Sequence, residues 1–213
     1  TDSGYSSVAI IKFNSSGVLQ WQFLQTDEEG LNIAKDVLID SLGAVYFSSE
    51  HQEPISNAFV TKLSSSGVEI WNYNISTIGA ESIVGIDFFI DGIGLACNVN
   101  YEFSSIYIAR LDLNGELVYD DLYSSEYSRN AFCNDMLVYN ENIYITGSLV
   151  SETSNTDVLT INWNSDGGVS WLSIFDGSGK IDDAGVSLAV TNELLVVASN
   201  CQADDSNIEC IAY

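Results

Sequence analysis

The chain has 213 residues, enough for a sizeable core, and 46% of them are hydrophobic, so it is not a disordered tail. It carries 30 acidic residues against 6 Lys and Arg, a formal net charge of −24 at pH 7. Nucleic acids and anionic membranes are bound through basic patches, so this balance argues against both as partners. No run of about 18 apolar residues occurs, and the sequence therefore predicts no membrane-spanning segment.

A unit of about 50 residues occurs four times, and each copy opens with a predicted β-hairpin. Three positions align across the copies: a polar residue, a glycine five residues later and an aromatic residue four residues after the glycine. In chain order they are occupied by Lys12, Gly17 and Trp21, then Lys62, Gly67 and Trp71, then Arg110, Gly115 and Tyr119, then Asn162, Gly167 and Trp171. Glycine adopts positive φ at no steric cost, so each glycine predicts the turn of its hairpin.

A second predicted hairpin fills the rest of each copy. Its first strand carries the small residues Ala34, Gly85, Cys133 and Gly185. Small residues fit where sheets crowd together, so we expect this strand to be innermost and the aromatic-bearing strand to lie at the rim, its rings buried between sheets. No segment has helical periodicity, and four-stranded sheets repeated at this period are typical of a β-propeller. The predicted fold is all-β, with some 16 or 17 short strands in four-stranded antiparallel sheets.

These repeats make 1–213 one predicted β-propeller domain, expected to be a fragment of a longer chain. The repeats lie near 8–57, 58–104, 105–156 and 157–206, and a fifth begins at 207–213. Because the fifth copy stops in mid-blade, the expected structure is an open arc, or one completed by strands from another copy or from residues outside this stretch.

The motif around the first hairpin resembles known repeats. The stretch Ile11–Trp21, followed by an Asp-containing strand and Gly43–Tyr46, resembles the SBBP-type β-propeller repeats of secreted and surface proteins, and it is similar to the Gly-x-x-x-Trp units of quinoprotein-like propellers. The resemblance implies the architecture over nearly the whole chain but little about activity, because one fold hosts many functions. Asn164–Trp171 is similar to the Asp-box turn of sialidase-type propellers, a structural turn that implies no glycosidase.

Residues that usually carry chemistry are sparse. His51 is the only histidine and is expected to be a solvated loop residue, which excludes a His-dependent triad or a multi-His metal site. Asn162–Gly167 resembles the start of an EF-hand loop, with oxygen donors at alternate positions. The twelfth position, where an EF-hand has an acid, is Ser173, so a hairpin turn is predicted there. Paired acids occur at Glu28-Glu29, Asp120-Asp121, Asp182-Asp183 and Asp204-Asp205. They are expected to be solvated loop charge, since glycoside hydrolysis needs two carboxylates about 5–10 Å apart around a pocket.

The scarce cations suggest a repeated ion pair between blades. Lys12, Lys62 and Arg110 share one repeat position, and an aspartate occupies a second repeat position in the same copies. In the fourth copy both positions change together, to Asn162 and Ser187. The sequence therefore predicts structural ion pairs among Lys12, Asp36, Lys62, Asp87, Arg110 and Asp135, which would make these acids structural and not catalytic.

Covalent modification is predicted at a few positions. Asn14 and Asn74 each begin an N-glycosylation sequon. Cys201 and Cys210 flank a loop between two strands expected to pair, which predicts a disulfide between them. Cys97 and Cys133 resemble small hydrophobic residues in tight places.

Three functions are weighed on these grounds. The favoured one is a non-catalytic structural or adhesive module, extracellular or at the cell surface, without cofactor or metal, whose partners are other copies of itself or other domains of the same assembly. The alternative is a ligand-binding propeller that takes a glycan, a protein or calcium on the face of the long connections. These connections are 24–30, 49–57, 75–81, 123–130, 149–156, 175–183 and 200–207. A glycosidase-like or quinone-dependent enzyme domain is less favoured, because no acid cluster or cofactor plane is visible in the sequence.

Overall fold

A computed structural model describes residues 6–26, 30–52, 55–125, 130–150, 155–177, 182–192 and 194–201. This part of the chain holds 16 β-strands and no helix, so the predicted all-β class and strand number are confirmed. None of it forms a helix of the length and apolarity that a membrane crossing requires.

The strands form five antiparallel sheets in chain order. The first sheet contains β1 (Val8–Phe13) and β2 (Leu19–Gln25). The second contains β3 (Leu31–Ile39), β4 (Val45–Gln52), β5 (Ser56–Leu63) and β6 (Glu69–Ile75). The third contains β7 (Ala80–Phe89), β8 (Gly92–Asn100), β9 (Ser104–Asp112) and β10 (Leu117–Tyr123). The fourth contains β11 (Ala131–Tyr139), β12 (Asn142–Val150), β13 (Thr156–Trp163) and β14 (Val169–Phe175), and the fifth β15 (Asp183–Val190) and β16 (Leu195–Cys201).

The three complete sheets are meanders in which strands adjacent in sequence are adjacent in space. The repeat places β1–β2 at the third and fourth strand positions of a sheet, and β15–β16 at the first and second positions. The third strand predicted for the last sheet falls on 207–213, outside the described residues.

The core lies between successive sheets. The first strands β3, β7, β11 and β15 contact one another in that order. One apolar cluster joins the second and third sheets around Tyr46, Ile93 and Leu95, and another joins the third and fourth around Ile106, Ile145 and Trp163. Because a neighbouring sheet covers each face, the second and third strands of the complete sheets are buried almost throughout.

The turn of the outer hairpin has the same geometry in all four copies. Gly17, Gly67, Gly115 and Gly167 have φ of +76°, +82°, +84° and +84°. In the second sheet the Gly67 amide donates to Ser64 O at 3.0 Å, and the ladder shifts register between Lys62 and Leu63. This is a turn closed by a left-handed glycine and a bulge, and it explains why the sequence keeps a glycine there.

Three of these glycines lie against an aromatic ring of the preceding sheet. A Cβ at Gly67 would sit 2.7 Å from the Trp21 ring, and Gly115 and Gly167 approach Trp71 and Tyr119 equally closely. Trp21 Nε1 donates to Ser65 O at 2.9 Å, and Trp71 Nε1 donates to Leu113 O at 3.1 Å. We call this contact, an aromatic ring seated on the turn of the next sheet, the turn clamp.

The two ends of the series lack half of a clamp. Trp171 is 40% exposed and has no turn on its ring among the described residues, so its expected burial was wrong. Gly17 has the same φ as the other glycines, but no atom outside its chain neighbours lies within 4 Å of its Cβ position. The clamp is therefore complete three times, and each end supplies one half of it.

Replacing Gly67 by Ala should cost more stability than replacing Gly17 by Ala. Both substitutions place a side chain at positive φ, which costs about 1–2 kcal/mol. Only the Gly67 methyl also meets a ring, and displacing a packed group adds about 1–3 kcal/mol. Urea denaturation of the two variants measures the difference, and equal losses would show that the ring contact contributes nothing.

Candidate functional site

The repeated cations bind the turn of the next sheet. Lys12 Nζ donates to Ser65 O at 3.1 Å, and Lys62 Nζ donates to Leu113 O at 2.9 Å. Each is the same carbonyl oxygen that accepts from the tryptophan of the clamp. In its own ladder each lysine lies directly opposite that tryptophan. The cation and the indole therefore reach the next turn from one face of the sheet.

Arg110 makes the third sheet's version of this contact with carboxylates. Its guanidinium binds Asp91 of its own sheet and lies 3.4 Å from Glu141 Oε2 of the fourth sheet. It also stacks 4.4 Å from the Phe89 ring centroid. Tyr119 stands where the other clamps have tryptophan, and its Oη has no hydrogen-bond partner among the described residues. Here the Arg110–Glu141 pair makes a polar link between the third and fourth sheets.

The repeated aspartates accept hydrogen bonds from backbone amides of the first strand in the next sheet. Asp36 Oδ2 accepts from Ile86 N at 3.1 Å, and Asp87 Oδ2 accepts from Val138 N at 2.8 Å. Asp135 Oδ2 accepts from Leu188 N at 2.7 Å and from Ser187 Oγ at 2.8 Å. Each Oδ1 accepts from the amide of the residue that follows the aspartate. Both carboxylate oxygens are therefore occupied in a contact between sheets.

The predicted ion pairs between these cations and aspartates are wrong. Lys12, Lys62 and Arg110 bind the partners given above, and none of the ion pairs between described residues joins a cation to Asp36, Asp87 or Asp135. Within a sheet the aspartate is on the first strand and the cation on the third, two strand spacings or about 10 Å apart. Both residue sets do tie sheets together, but the lysines and the aspartates do so through backbone groups.

A cavity opens beside the connection from β6 to β7, on the face of the long connections. It measures about 600 Å³, and the polar side chains among its lining residues are amides, hydroxyls and one carboxylate. It is lined by Ile55, Asn57, Asn74, Ile75, Ser76, Thr77, Ile78, Gly79, Ala80, Glu81, Asn100 and Tyr101. We call it the loop-face cavity.

Glu81 is the acidic group of the loop-face cavity, and it is only 2% exposed. Its Oε1 accepts from Thr77 N at 2.9 Å and from Thr77 Oγ1 at 2.6 Å. Its Oε2 is buried without a hydrogen-bond partner among the described residues. A carboxylate oxygen in this position can accept a donor or bind a cation. Glu81 was not predicted from the sequence, since no motif marks a single acid at the start of a strand.

The other candidate residues are held in the strands and turns. His51 lies in β4 half-buried, with Nδ1 3.2 Å from Asn32 Oδ1, so its expected loop position was wrong. Asn164 stabilises the predicted turn, because its Oδ1 accepts hydrogen bonds from the backbone amides of Asp166 and Gly168. No group of three His, Cys, Asp or Glu side chains suited to a metal occurs in the described ranges.

Of the paired acids that the structure describes, Asp120, Asp121 and Asp183 lie in strands, so their expected place in solvated loops was wrong. Asp120 accepts from Tyr107 Oη at 3.1 Å, whereas Asp121 accepts from Trp163 Nε1 of the fourth sheet at 2.7 Å. They are neighbours in β10 and so face opposite sides of the sheet. In the pair Asp182-Asp183, Asp182 binds Thr156 N and Asp183 binds Gly177 N. Glu28-Glu29 and Asp204-Asp205 lie outside the described residues.

The modification sites fall in different settings. Asn14 and Asn74 are both exposed, and Asn14 Oδ1 accepts from Ser16 N and Val18 N within its turn.

Burial, with Glu81 and Glu50 nearby, raises the pKa of the Cys97 thiol well above its ordinary value. Burial raises the pKa of Cys133 as well. Cys201 ends β16 and Cys210 lies outside the described residues, so their disulfide stays a prediction.

Comparison with known proteins gives no assignment: no family model matches the chain, and no curated protein matches it.

Replacing Asp87 by Ala should destabilise the fold by about 1–3 kcal/mol. The amides of Phe88 and Val138 would lose their acceptor inside a contact between sheets, and a buried unsatisfied donor costs that much. Asp91→Ala is the matched control, because Asp91 is 68% exposed and an exposed ion pair contributes under about 1 kcal/mol. Denaturation curves in which both variants lose equally little would refute the role given to Asp87.

Alkylation by iodoacetamide at pH 8.5 should spare Cys97 and Cys133 in the folded chain. The thiolate is the reacting form, and a raised pKa keeps both thiols protonated at this pH, while unfolding restores their ordinary reactivity. Mass spectrometry of the peptides reads each cysteine separately. Protection of Cys201 that a reductant abolishes would establish its disulfide, and rapid labelling of folded Cys97 would contradict its burial.

Proposed function

We propose that this chain is a non-catalytic structural or adhesive β-propeller module of an extracellular or cell-surface protein. The observation that carries the proposal is the repeated contact between sheets. The repeated lysines and tryptophans bind a turn of the next sheet, and the repeated aspartates bind its first strand. These are the residue types that would otherwise be candidates for a catalytic or binding site. Residues occupied in this way serve the stacking of sheets and are not available to a substrate.

The propeller form of the module is supported by how the sheets meet. First strands contact one another in succession, and small residues on these strands allow the approach. The fourth strands are the most exposed of each complete sheet, as expected of strands at a rim. Successive sheets thus crowd at one edge and spread at the other, which is how blades are arranged around an axis.

An extracellular setting is supported by the exposed sequon side chains of Asn14 and Asn74, which leave room for a glycan. The resemblance of the repeats to those of secreted and surface proteins points the same way.

A structural module has to resist load, so we expect Trp71→Ala to weaken it. The variant removes one turn clamp and should lower the free energy of unfolding by roughly 3–5 kcal/mol, as large-to-small core changes do. Its rupture force, measured by stretching single molecules between the termini, should fall in parallel. Trp171→Ala is the control, because no turn covers that ring within the described chain. Unchanged rupture force for Trp71→Ala would count against the structural role.

A ligand-binding module is the second candidate, and the loop-face cavity favours it. Buried Glu81 holds one carboxylate oxygen without a partner beside several amide and hydroxyl oxygens, a donor set that suits a hard cation such as calcium. Calcium binding here would place a ligand on the face of the long connections.

Calcium titration decides between these functions. If the loop-face cavity binds calcium, calcium should raise the melting temperature of the wild type and of Glu69→Gln, an exposed acid in β6 outside the cavity lining, but not of Glu81→Gln. Gln keeps the size of Glu and an oxygen for Thr77, so the fold is expected to survive. A melting temperature that calcium leaves unchanged in all three proteins would remove the support for a cation site.

A further inference from the structure

The loop-face cavity contains a buried negative charge that no positive charge of the described chain balances. Glu81 is 2% exposed, and its Oε2 has no hydrogen-bond partner among the described residues. None of the ion pairs between described residues includes Glu81. Lys35 is bound to Glu50 at 3.0 Å, and the other three basic residues that the structure describes have the partners given above. A buried carboxylate without a compensating charge is costly, so the cavity favours a positively charged occupant.

This carboxylate is held against the connection from β6 to β7, which lines the cavity. Glu81 Oε1 accepts from the amide and the hydroxyl of Thr77, and the Gly79 amide donates to Thr77 Oγ1 at 3.3 Å. A Cβ at Gly79 would lie 2.5 Å from Asn100 O, so the connection packs directly on the end of β8. These contacts fix the carboxylate in place and leave its second oxygen to accept from a further donor.

Large apolar side chains line the same cavity at the surface of the protein. Ile55, Ile78 and Tyr101 are 58%, 71% and 66% exposed. An alkyl stem can lie along such side chains while its charged end is bound deeper, and the face of a tyrosine ring attracts an ammonium group. A metal ion would use the oxygens of the cavity but would gain nothing from these apolar side chains. The lining therefore favours an alkylammonium group over a metal ion.

A second cavity adjoins the loop-face cavity. It measures about 300 Å³, and both cavities are lined by Ile78 and Tyr101. Val99, Phe103 and Leu122 add apolar side chains to its lining. In an extended segment, side chains two residues apart point to the same face and lie about 7 Å from each other. The two cavities therefore suit one extended segment that presents a charged side chain to the first and an apolar side chain to the second.

We infer that the loop-face cavity binds a lysine side chain of a basic partner protein, with the ammonium on Glu81 Oε2 and the alkyl stem against Ile78 and Tyr101. The inference rests on the proposed adhesive role and gives the chemistry of its partner. The net charge of −24 favours a basic partner over a second copy of this chain, because like-charged surfaces repel. An ammonium donates three hydrogen bonds, and the amide and hydroxyl oxygens of the lining can accept those that the carboxylate does not.

An NMR titration of the isotope-labelled chain tests the inference with the peptide acetyl-Leu-Ser-Lys-Ser-Leu-amide. A leucine lies two residues from the lysine on each side, so the peptide can fill both cavities in either chain direction. The matched control peptide carries Nε-acetyl-lysine, which keeps the alkyl stem but removes the charge. The lysine peptide should shift the backbone amide signals of Thr77, Glu81 and Tyr101 in a saturable way, and the acetylated peptide should not.

Two variants locate the binding of the lysine peptide. Glu81→Gln should weaken it about tenfold, because a neutral hydrogen bond replaces one between charged groups. Tyr101→Ala should weaken it about two- to fivefold through loss of the cation–π contact. Because Tyr101 is 66% exposed, its removal leaves the core intact. Glu69→Gln is the control, an exposed acid in β6 outside the cavity lining, and it should bind the peptide as the wild type does.

Equal binding of the two peptides overturns the inference, as does the absence of binding at millimolar peptide. Binding that both Glu81→Gln and Tyr101→Ala leave unchanged overturns it too. Butylamine that binds as tightly as the peptide would assign the cavity to a free amine, and calcium that binds through Glu81 while the peptide does not would assign it to a metal ion. Either result removes the partner protein. A chain that binds no peptide but loses stability with Trp71→Ala would leave the structural role standing.

Discussion

The approach of an aromatic ring to a glycine without a Cβ is the contact on which the arrangement of sheets depends. At Gly67, Gly115 and Gly167 any side chain would overlap the ring of the preceding sheet. The same glycine also closes its own hairpin at positive φ. One glycine therefore determines both the shape of its turn and the position of the neighbouring sheet. The sheets cannot slide past each other without opening this turn or breaking the contact between glycine and ring.

Successive sheets are linked by different chemistry at their first strands and at the hairpins of their third and fourth strands. The first strands contact one another, and a short aspartate reaches the amide of the next first strand, as Asp87 reaches Val138. At the hairpins the long side chains of lysine and tryptophan make the link to a carbonyl, as at Leu113. The aspartates accept hydrogen bonds from backbone amides, and the lysines donate to backbone carbonyls, so both kinds of backbone group are used to link the sheets. This arrangement lets a chain with few cations keep its inner acids without pairing them to bases.

The repeat allowed the sequence to predict the strands, the turns and the phase of the sheets, because these follow from local residue types. It did not predict the partners of Lys62 and Asp36. Two positions that change together, such as Asn162 and Ser187, indicate a shared function but not contact, and backbone amides leave no trace in a sequence. Trp163 binding Asp121 and Glu81 in its cavity were missed for a similar reason: each occurs once, so no repeat marks it.

Stacked repeats draw their stability from contacts with neighbours, so a terminal repeat loses one of its two interfaces. Repeat proteins that stay monomeric usually have terminal repeats with a polar outer face. Phe13 and Val196 lie exposed on β1 and β16, whereas the equivalent strands of the complete sheets are largely buried. Trp171 and the turn at Gly17 likewise match features that the complete clamps pack against a neighbouring sheet. The contacts that join the second sheet to the third are therefore incomplete at β1 and β16 among the described residues, and apolar surface of this kind is stabilised when it is buried.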